Sequence, residues 1–360
     1  MDLKKQNILF FSRSMQLGGT ENVILQLCEI LGPHVGKIVV CSRGGVNVEK
    51  LTAMGIRHIQ IPDISQKDPA NVLRLMRAVR RIVREEQITI VHSHHRMAAL
   101  YARLCSPRSV IRIADVHNAF HDKRRMTRMA YRGTRLIAVG EMVKKSLTDH
   151  YGLPDGQVEV IYNAVAPFDG NVVPVPELTA AAEAGQIRIG NIGRLSEQKG
   201  MPYFIDAIAP ILAKHPEARF YLVGDGEDRA ALEAQAAALP AGSVTFLGYR
   251  PDVQNVMSQL DLIVLSSLWE GLPLTMLEAF SVGRTAVATA VDGTPEIVRD
   301  GVDGLLVPPR DPAAIAAAVC RLIEDPELRK KMEISAAERY RTVFSLERLA
   351  KDYLRYYERL

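Results

Sequence analysis

Short apolar runs alternate with amphipathic stretches along almost the whole chain, and this alternation restricts the fold more than any other feature. In the first half, apolar runs at 8–11, 37–41, 59–62, 89–92, 110–114 and 136–139 predict strands. Between them, 22–31 carries Val23, Ile24, Leu27 and Leu31 on one side. The stretch 71–86 likewise carries Val72, Leu75, Met76, Val79 and Val83 on one face. That spacing is helical. Strands that read as near-continuous apolar runs, separated by helices of about 10–15 residues, predict a parallel, doubly wound α/β sheet. The periodicity fails around 165–186, where Pro167, Gly170, Pro174 and Pro176 cluster. It restarts with strands predicted at 187–191, 219–223, 244–247, 262–265 and 285–288, and helices at 203–214, 230–238, 273–281 and 313–324. The chain is therefore expected to form two Rossmann-like domains, over 1–166 and 170–345. Two such sheets facing each other make a cleft, and ligands of these sheets bind outside the carboxyl ends of the strands.

The length of 360 residues suits two cores of ordinary size. No apolar run approaches the roughly 18 residues of a membrane span. The run at 8–11 is too short for a signal peptide, so a cytoplasmic protein is expected. Cys28, Cys41, Cys105 and Cys320 are scattered and form no Cys-x-x-Cys pair, which fits reduced thiols rather than a zinc or redox motif. The net charge of +4 hides an asymmetry: residues 1–166 carry a balance of +11 and the remainder −7. A basic first half is expected to meet something anionic, whether nucleic acid, a phosphorylated lipid or an acidic membrane surface.

The second half holds the more specific motifs. Gly193-Arg194-Leu195-Ser196-Glu197-Gln198-Lys199-Gly200 follows a predicted strand and precedes a helix. Two cations beside a helix N-terminus make a pyrophosphate site, because guanidinium, ammonium and the helix dipole all favour negative charge. Val223-Gly224-Asp225-Gly226-Glu227 also ends a strand, and Gly224 allows a backbone to approach a ligand. Ser267-Leu268-Trp269-Glu270-Gly271-Leu272-Pro273-Leu274-Thr275-Met276-Leu277-Glu278-Ala279 follows the strand at 262–265. Pro273 suits the first helical position, which would place the N–H groups of Gly271 and Leu272 at the helix N-terminus. Glu270 falls in the loop before that helix and Glu278 falls on it.

Two glutamates eight positions apart around Gly-x-Pro, after an Arg-x-x-x-x-Lys-Gly loop, resemble glycosyltransferase family 4. The likeness extends to Gly18-Gly19-Thr20-Glu21, to Ile161-Tyr162-Asn163-Ala164-Val165, and to Gly293-Thr294-Pro295-Glu296-Ile297-Val298 with Gly301 and Gly304-Leu305-Leu306-Val307-Pro308. The resemblance implies the GT-B fold, with the acceptor bound by the first domain and a nucleotide-diphosphate sugar (UDP- or GDP-sugar) by the second. It also implies a final helix at about 346–360 that returns to the first domain. Transfer of a hexosyl-type unit, with retention of anomeric configuration and without metal or other cofactor, is what such proteins do. Arg194 and Lys199 would grip the donor diphosphate. Glu278 would hold the ribose hydroxyls and Glu270 the donor sugar, with Gly271 and Leu272 adding backbone N–H groups. Gly18, Gly19, Asn163 and Gly224 complete the expected donor contacts. His117 would face the donor sugar, which makes His117, Glu270, Arg194 and Lys199 the expected catalytic set. No Asp-x-Asp triplet, the usual holder of a divalent ion in metal-dependent transferases, occurs in the chain.

His92, His94 and His95 follow one predicted strand and His117 another. They could bind a metal, though His94 or His95 fits better as a lining of the acceptor side or a cap of the turn. Arg74, Arg77, Arg81 and Arg84 share one helix face. Lys123, Arg124, Arg125, Arg128, Arg132 and Arg135 are interleaved with Met126, Met129 and Tyr131, which suits an anionic membrane surface or a phosphorylated lipid. A nucleic-acid partner is not expected, because it would leave Glu270, Glu278 and the Arg194/Lys199 loop without a role. The expected function is glycosyl transfer to a glycan or glycolipid in cell-surface polysaccharide or lipopolysaccharide assembly, at the inner membrane's cytoplasmic face. The alternatives are an epimerase or hydrolase of nucleotide sugars, or a catalytically silent binding module on the same fold.

Overall fold

In the computed structural model, which describes residues 1–118 and 123–360, the chain divides into two compact units. Unit 1 comprises Met1–Asn163 and Leu349–Leu360, and unit 2 comprises Ala164–Arg348.

Unit 1 is built on seven parallel strands: β1 Asn7–Phe11, β2 Lys37–Ser42, β3 Arg57–Gln60, β4 Ile90–Ser93, β5 Ile111–Val116, β6 Arg135–Ala138 and β7 Val158–Val160. Their order is β3-β2-β1-β4-β5-β6-β7. The interior strands are buried over most of their length, with only their first residues reaching solvent, as suits a sheet covered by helices on both faces. The two edge strands are where the sequence misleads. The third strand, expected at 59–62, lies at Arg57–Gln60, and β7 was not expected at all. Both are short and carry charged residues (Arg57 and Glu159), because an edge strand has one unpaired side in contact with water.

Unit 2 repeats the plan with six parallel strands: β8 Ile187–Ile192, β9 Ala218–Val223, β10 Val244–Gly248, β11 Leu262–Leu265, β12 Ala286–Thr289 and β13 Gly304–Val307. Their order is β10-β9-β8-β11-β12-β13. The helices Met201–Lys214 and Pro312–Glu324 pack on one face and bury Phe204, Ile208, Ile211, Ile315 and Val319. Local chemistry fixes the helix starts. Asp311 accepts the Ala314 N–H with Pro312 in the first turn, and Asp68 accepts the Asn71 N–H ahead of Pro69–Glu85.

The last helix, Leu346–Glu358, brings the chain back to unit 1, where it buries Leu349, Tyr353 and Tyr357. Its docking is polar as well as apolar. Tyr353 donates its hydroxyl to Asp115 Oδ2 at 2.8 Å. Tyr357 Oη lies 2.7 Å from His92 Nδ1, and His92 Nε2 lies 2.7 Å from Asp115 Oδ1. Burial acts to raise the Asp115 carboxyl, yet the surrounding histidines outweigh it and hold the group well below the usual carboxylate range. A carboxylate so deeply buried persists only while its donors are in place. Tyr353→Phe keeps the ring and removes one donor, so it should destabilise unit 1 by about 1–3 kcal/mol. Urea denaturation measures this, and a change under about 0.5 kcal/mol would show that the hydroxyl contributes nothing.

Candidate active site

In unit 2 the strand order reverses between β8 and β11, and the loops leaving these two neighbours are tied together. Leu268 N–H donates to the Gln198 carbonyl at 2.8 Å, and Gln198 Nε2 donates to the Trp269 carbonyl at 3.0 Å. Beneath them Asn191 Nδ2 donates to Ser266 Oγ at 2.8 Å, and Ser266 Oγ donates to the Lys199 carbonyl at 2.9 Å. The flanking loops join in. A Cβ on Gly224, after β9, would run into the Gly193 carbonyl oxygen, and one on Gly293, after β12, would run into that of Gly271. Gly224 also has φ +142°, so both its conformation and its neighbour require glycine.

This arrangement puts Lys199 Nζ 2.6 Å from Glu270 Oε1, with the Ser267 hydroxyl donating to the same oxygen at 2.6 Å. The Glu270 N–H donates to Asp292 Oδ2 at 2.8 Å. The side chains of Lys199 and Glu270 are 15% and 7% exposed. The ion pair and the hydroxyl give this carboxylate polar partners where water is largely excluded. Oε2 of Glu270 has no hydrogen bond among the described residues. Ser267 and Asp292 were not expected from the sequence; a serine and an aspartate in turns look like ordinary turn formers.

The expected set does not all converge. Arg194 is exposed, and its guanidinium pairs with Glu227, Nη2 to Oε2 at 3.0 Å. Pro273 is not the first residue of the helix. With ψ 104° it is the cap, and the helix runs Leu274–Ser281, so Gly271 and Leu272 precede the cap. Proline's fixed φ suits either place, and here its extended ψ starts the helix one residue later. Glu278 sits on the second turn. Burial raises its carboxyl to about 7, against the pull of Lys199.

In unit 1 the order reverses between β1 and β4. Gly18 caps the helix Gly19–Leu31 after β1. His94, after β4, and His117, after β5, have stacked rings with Nδ1 and Nε2 3.3 Å apart. Burial holds both imidazoles below their usual range, against the attraction of Asp115. His95 is a helix cap, its Nδ1 accepting the Met97 N–H at 3.1 Å. Asn163 is buried at the end of the first segment of unit 1. Ligand atoms of His92, His94 and Asp115 lie within 4.8 Å of one another. Those of His92 and Asp115 already bond each other and the tyrosines of the last helix. Asp115, Tyr353 and Tyr357 were not anticipated as partners, and no sequence spacing would have joined them.

Glu278 supplies a pH test. With its acid raised from about 4.5 to about 7, its contribution to stability is whole below pH 4.5 and is lost as pH rises through 7. Gln mimics the protonated form. Glu278→Gln should therefore match the parent near pH 4.5 and exceed it at pH 8, by at most about 3 kcal/mol. Urea midpoints at the two pH values read the effect; the same increment at both would rule out an ionised, desolvated Glu278.

Comparison with known proteins agrees with this fold. A family model described as Glycosyltransferase Family 4 matches residues 17–167, and one described as Glycosyl transferases group 1 matches residues 186–325. The solved structure of Anabaena Alr3699/HepE in complex with UDP superposes with a TM-score of 0.86 at 21% identity, covering 99% of this chain and 100% of that one. The UDP-Gal:alpha-D-GlcNAc-diphosphoundecaprenol alpha-1,3-galactosyltransferase of Escherichia coli is 26% identical over 87% of this chain and 86% of its own length. An uncharacterized glycosyltransferase of Methanocaldococcus jannaschii is 29% identical over 63% of this chain, and the match spans 60% of that relative. Motifs, doubly wound units and matches thus agree: the chain joins a segment matching Glycosyltransferase Family 4 to one matching Glycosyl transferases group 1, and it has the GT-B fold.

Proposed function

We propose that the enzyme transfers a hexosyl unit from a UDP- or GDP-sugar to a glycan or lipid-linked acceptor, with retention and without a metal ion. The observation that carries this reading is the Lys199–Glu270 pair at the carboxyl ends of β8 and β11, the switch point where such sheets take ligands. The bond to be broken joins the sugar's C1 to a phosphate oxygen, and negative charge builds on the departing diphosphate. Lys199 sits where a fixed cation stabilises that charge. The exposed Arg194–Glu227 pair contributes well under about 1 kcal/mol, so a diphosphate can recruit Arg194 with little loss. Glu278, on the helix after Glu270, is the acceptor for ribose hydroxyls, and Glu270 offers Oε2 to the sugar. Gly224, Gly271 and Leu272 let the backbone come close to the ligand. In unit 1 the acceptor role falls to the strand ends that carry Gly18, Gly19 and His117.

Lys199→Ala and Arg194→Ala should each lower turnover by about 10²-fold or more, and excess EDTA should leave the parent unchanged. Nuclear magnetic resonance of the product should show the donor's anomeric configuration. Strict dependence on manganese or magnesium, or an inverted product, would overturn the reading. Turnover equally fast without acceptor would favour an epimerase or hydrolase.

The acceptor is proposed to arrive on a membrane, in polysaccharide or lipopolysaccharide assembly at the cytoplasmic face. The lipid-linked acceptor named for the Escherichia coli relative supports this. So does the surface of unit 1. Arg124, Arg125, Arg128 and Arg132 are exposed and form no ion pair among the described residues. Arg103, Arg128 and Arg132 line an open recess of about 500 Å³, and Leu104 and Met129 are exposed on the helices Arg96–Cys105 and Arg124–Tyr131. No helix among the described residues is long and apolar enough to cross a bilayer, and each cation near an anionic surface contributes on the order of 1 kcal/mol. Anionic liposomes should therefore sediment the protein and neutral ones should not, with salt reversing the binding. Replacing Arg124, Arg125, Arg128 and Arg132 with Gln should abolish it. Equal recovery in the supernatant with both vesicle types would make the cluster a solvated face.

A further inference from the structure

Glu270 is fixed through its side chain by Lys199 and Ser267, but its backbone is held by a residue that no motif singles out. Asp292 lies in the turn after β12 with φ +40°, in the left-handed region where a side chain is unfavourable. Glycine would adopt that conformation freely, so this aspartate occupies a position its backbone disfavours. What the side chain gains there is a charge-assisted hydrogen bond, Oδ2 accepting the Glu270 N–H at 2.8 Å. Two further contacts make the turn a fixed support: Gly293 abuts the Gly271 carbonyl, and the Thr289 hydroxyl donates to the Ser267 carbonyl at 2.6 Å. The loop 267–271 is thus clamped from the β12 side at Ser267, Glu270 and Gly271. Asp292 forms no ion pair among the described residues, so its role is not to balance a cation.

We infer that Asp292 is a positioning residue of the glycosyl-transfer site: it trades local backbone strain for a fixed Glu270 main chain and so aims the Glu270 carboxylate. The inference rests on the proposed role of Glu270 and concerns a residue outside the expected contact set. It separates stability from activity. Asn tolerates the left-handed region and its carbonyl oxygen accepts the same N–H, so Asp292→Asn should behave as the parent. Asp292→Gly relieves the strain and loses the bond, so it should be at least as heat-stable as the parent yet slower.

The test uses the full chain and two readouts. Trp269, the only tryptophan, is 45% exposed and precedes Glu270, so acrylamide quenching of its fluorescence reports the loop directly. Turnover is measured with whichever sugar donor is active in a panel of UDP- and GDP-hexoses, and nucleotide affinity with UDP and GDP by calorimetry. In Asp292→Gly the quenching constant should rise measurably. Its kcat should fall about tenfold, the scale of one lost charge-assisted hydrogen bond, with nucleotide affinity within about twofold and no loss of Tm. Asp292→Asn should restore quenching and kcat. Parental quenching and kcat in Asp292→Gly, alongside a large loss in Glu270→Gln, would overturn the positioning role. Full turnover in Glu270→Gln would instead remove Glu270 from the chemistry, and Trp269 quenching would still decide whether Asp292 fixes the loop.

Discussion

Backbone meeting backbone is what the second unit's site depends on. Loops from four adjacent strands, in the order β9, β8, β11 and β12, press backbone to backbone where glycines meet and are tied by side-chain hydrogen bonds elsewhere. Gly224 touches the Gly193 carbonyl and Gly293 touches that of Gly271, and any Cβ at either place would push two loops apart. The hydrogen bonds running across these loops work only at that separation. Glu270 shows the consequence. A carboxylate 7% exposed needs polar partners in place of the water it has lost. Here a lysine, a hydroxyl and an aspartate, from three different strand-end loops, hold it where a ligand can use it.

How much of this was legible in the sequence follows from what each feature leaves in a one-dimensional pattern. Interior strands of a parallel sheet are buried on both faces, so they leave continuous apolar runs, and β1, β4, β8 and β11 lie within a residue or so of where those runs fall. Edge strands leave a less dependable trace: β10 lies where its run falls, but the other three edges do not. β3 is displaced from its expected place, β7 is missing from the reading, and β13 is visible only as part of a Gly-Leu-Leu-Val motif. Lys199 and Glu270 were both marked by their loops, but their pairing spans 71 positions and depends on β8 being next to β11. Arg194 shares a loop with Lys199, and nothing in the letters tells that its partner here is the exposed Glu227. Asp292 was hidden for another reason. Asp-Gly reads as a turn, and nothing in the letters tells that the aspartate, not the glycine, has the positive φ.

Unit 1 holds its charge differently. Asp115 is enclosed by His92, with tyrosine hydroxyls from a helix some 240 residues further along the chain closing the shell. Unit 1 needs that helix for its own polar core, and this explains why the chain returns there after unit 2. Arg124, Arg125, Arg128 and Arg132, which form no ion pair among the described residues, are by contrast exposed. Asp115, His92, Tyr353 and Tyr357 satisfy one another inside, and the exposed arginines are left for whatever docks on the surface.

Unit 2 keeps its key cation inside, and this bears on how a diphosphate could be received. Lys199 is near two carboxylates, paired with Glu270 and lowering the pKa of Glu278. An arriving diphosphate would add a third anion around one ammonium. Lys199 alone could not serve all three in so dry a place, since each buried charge needs its own compensation. The other partners of the carboxylates resolve this. Glu270 keeps the Ser267 hydroxyl when Lys199 turns toward phosphate, and Asp292 still holds its main chain. Glu278, raised to about 7, can stay protonated near neutrality and requires no cation at all. The site is therefore arranged so that its buried ammonium can change partners without leaving an isolated charge behind, which is the property a cation must have if it is to follow negative charge onto a leaving group.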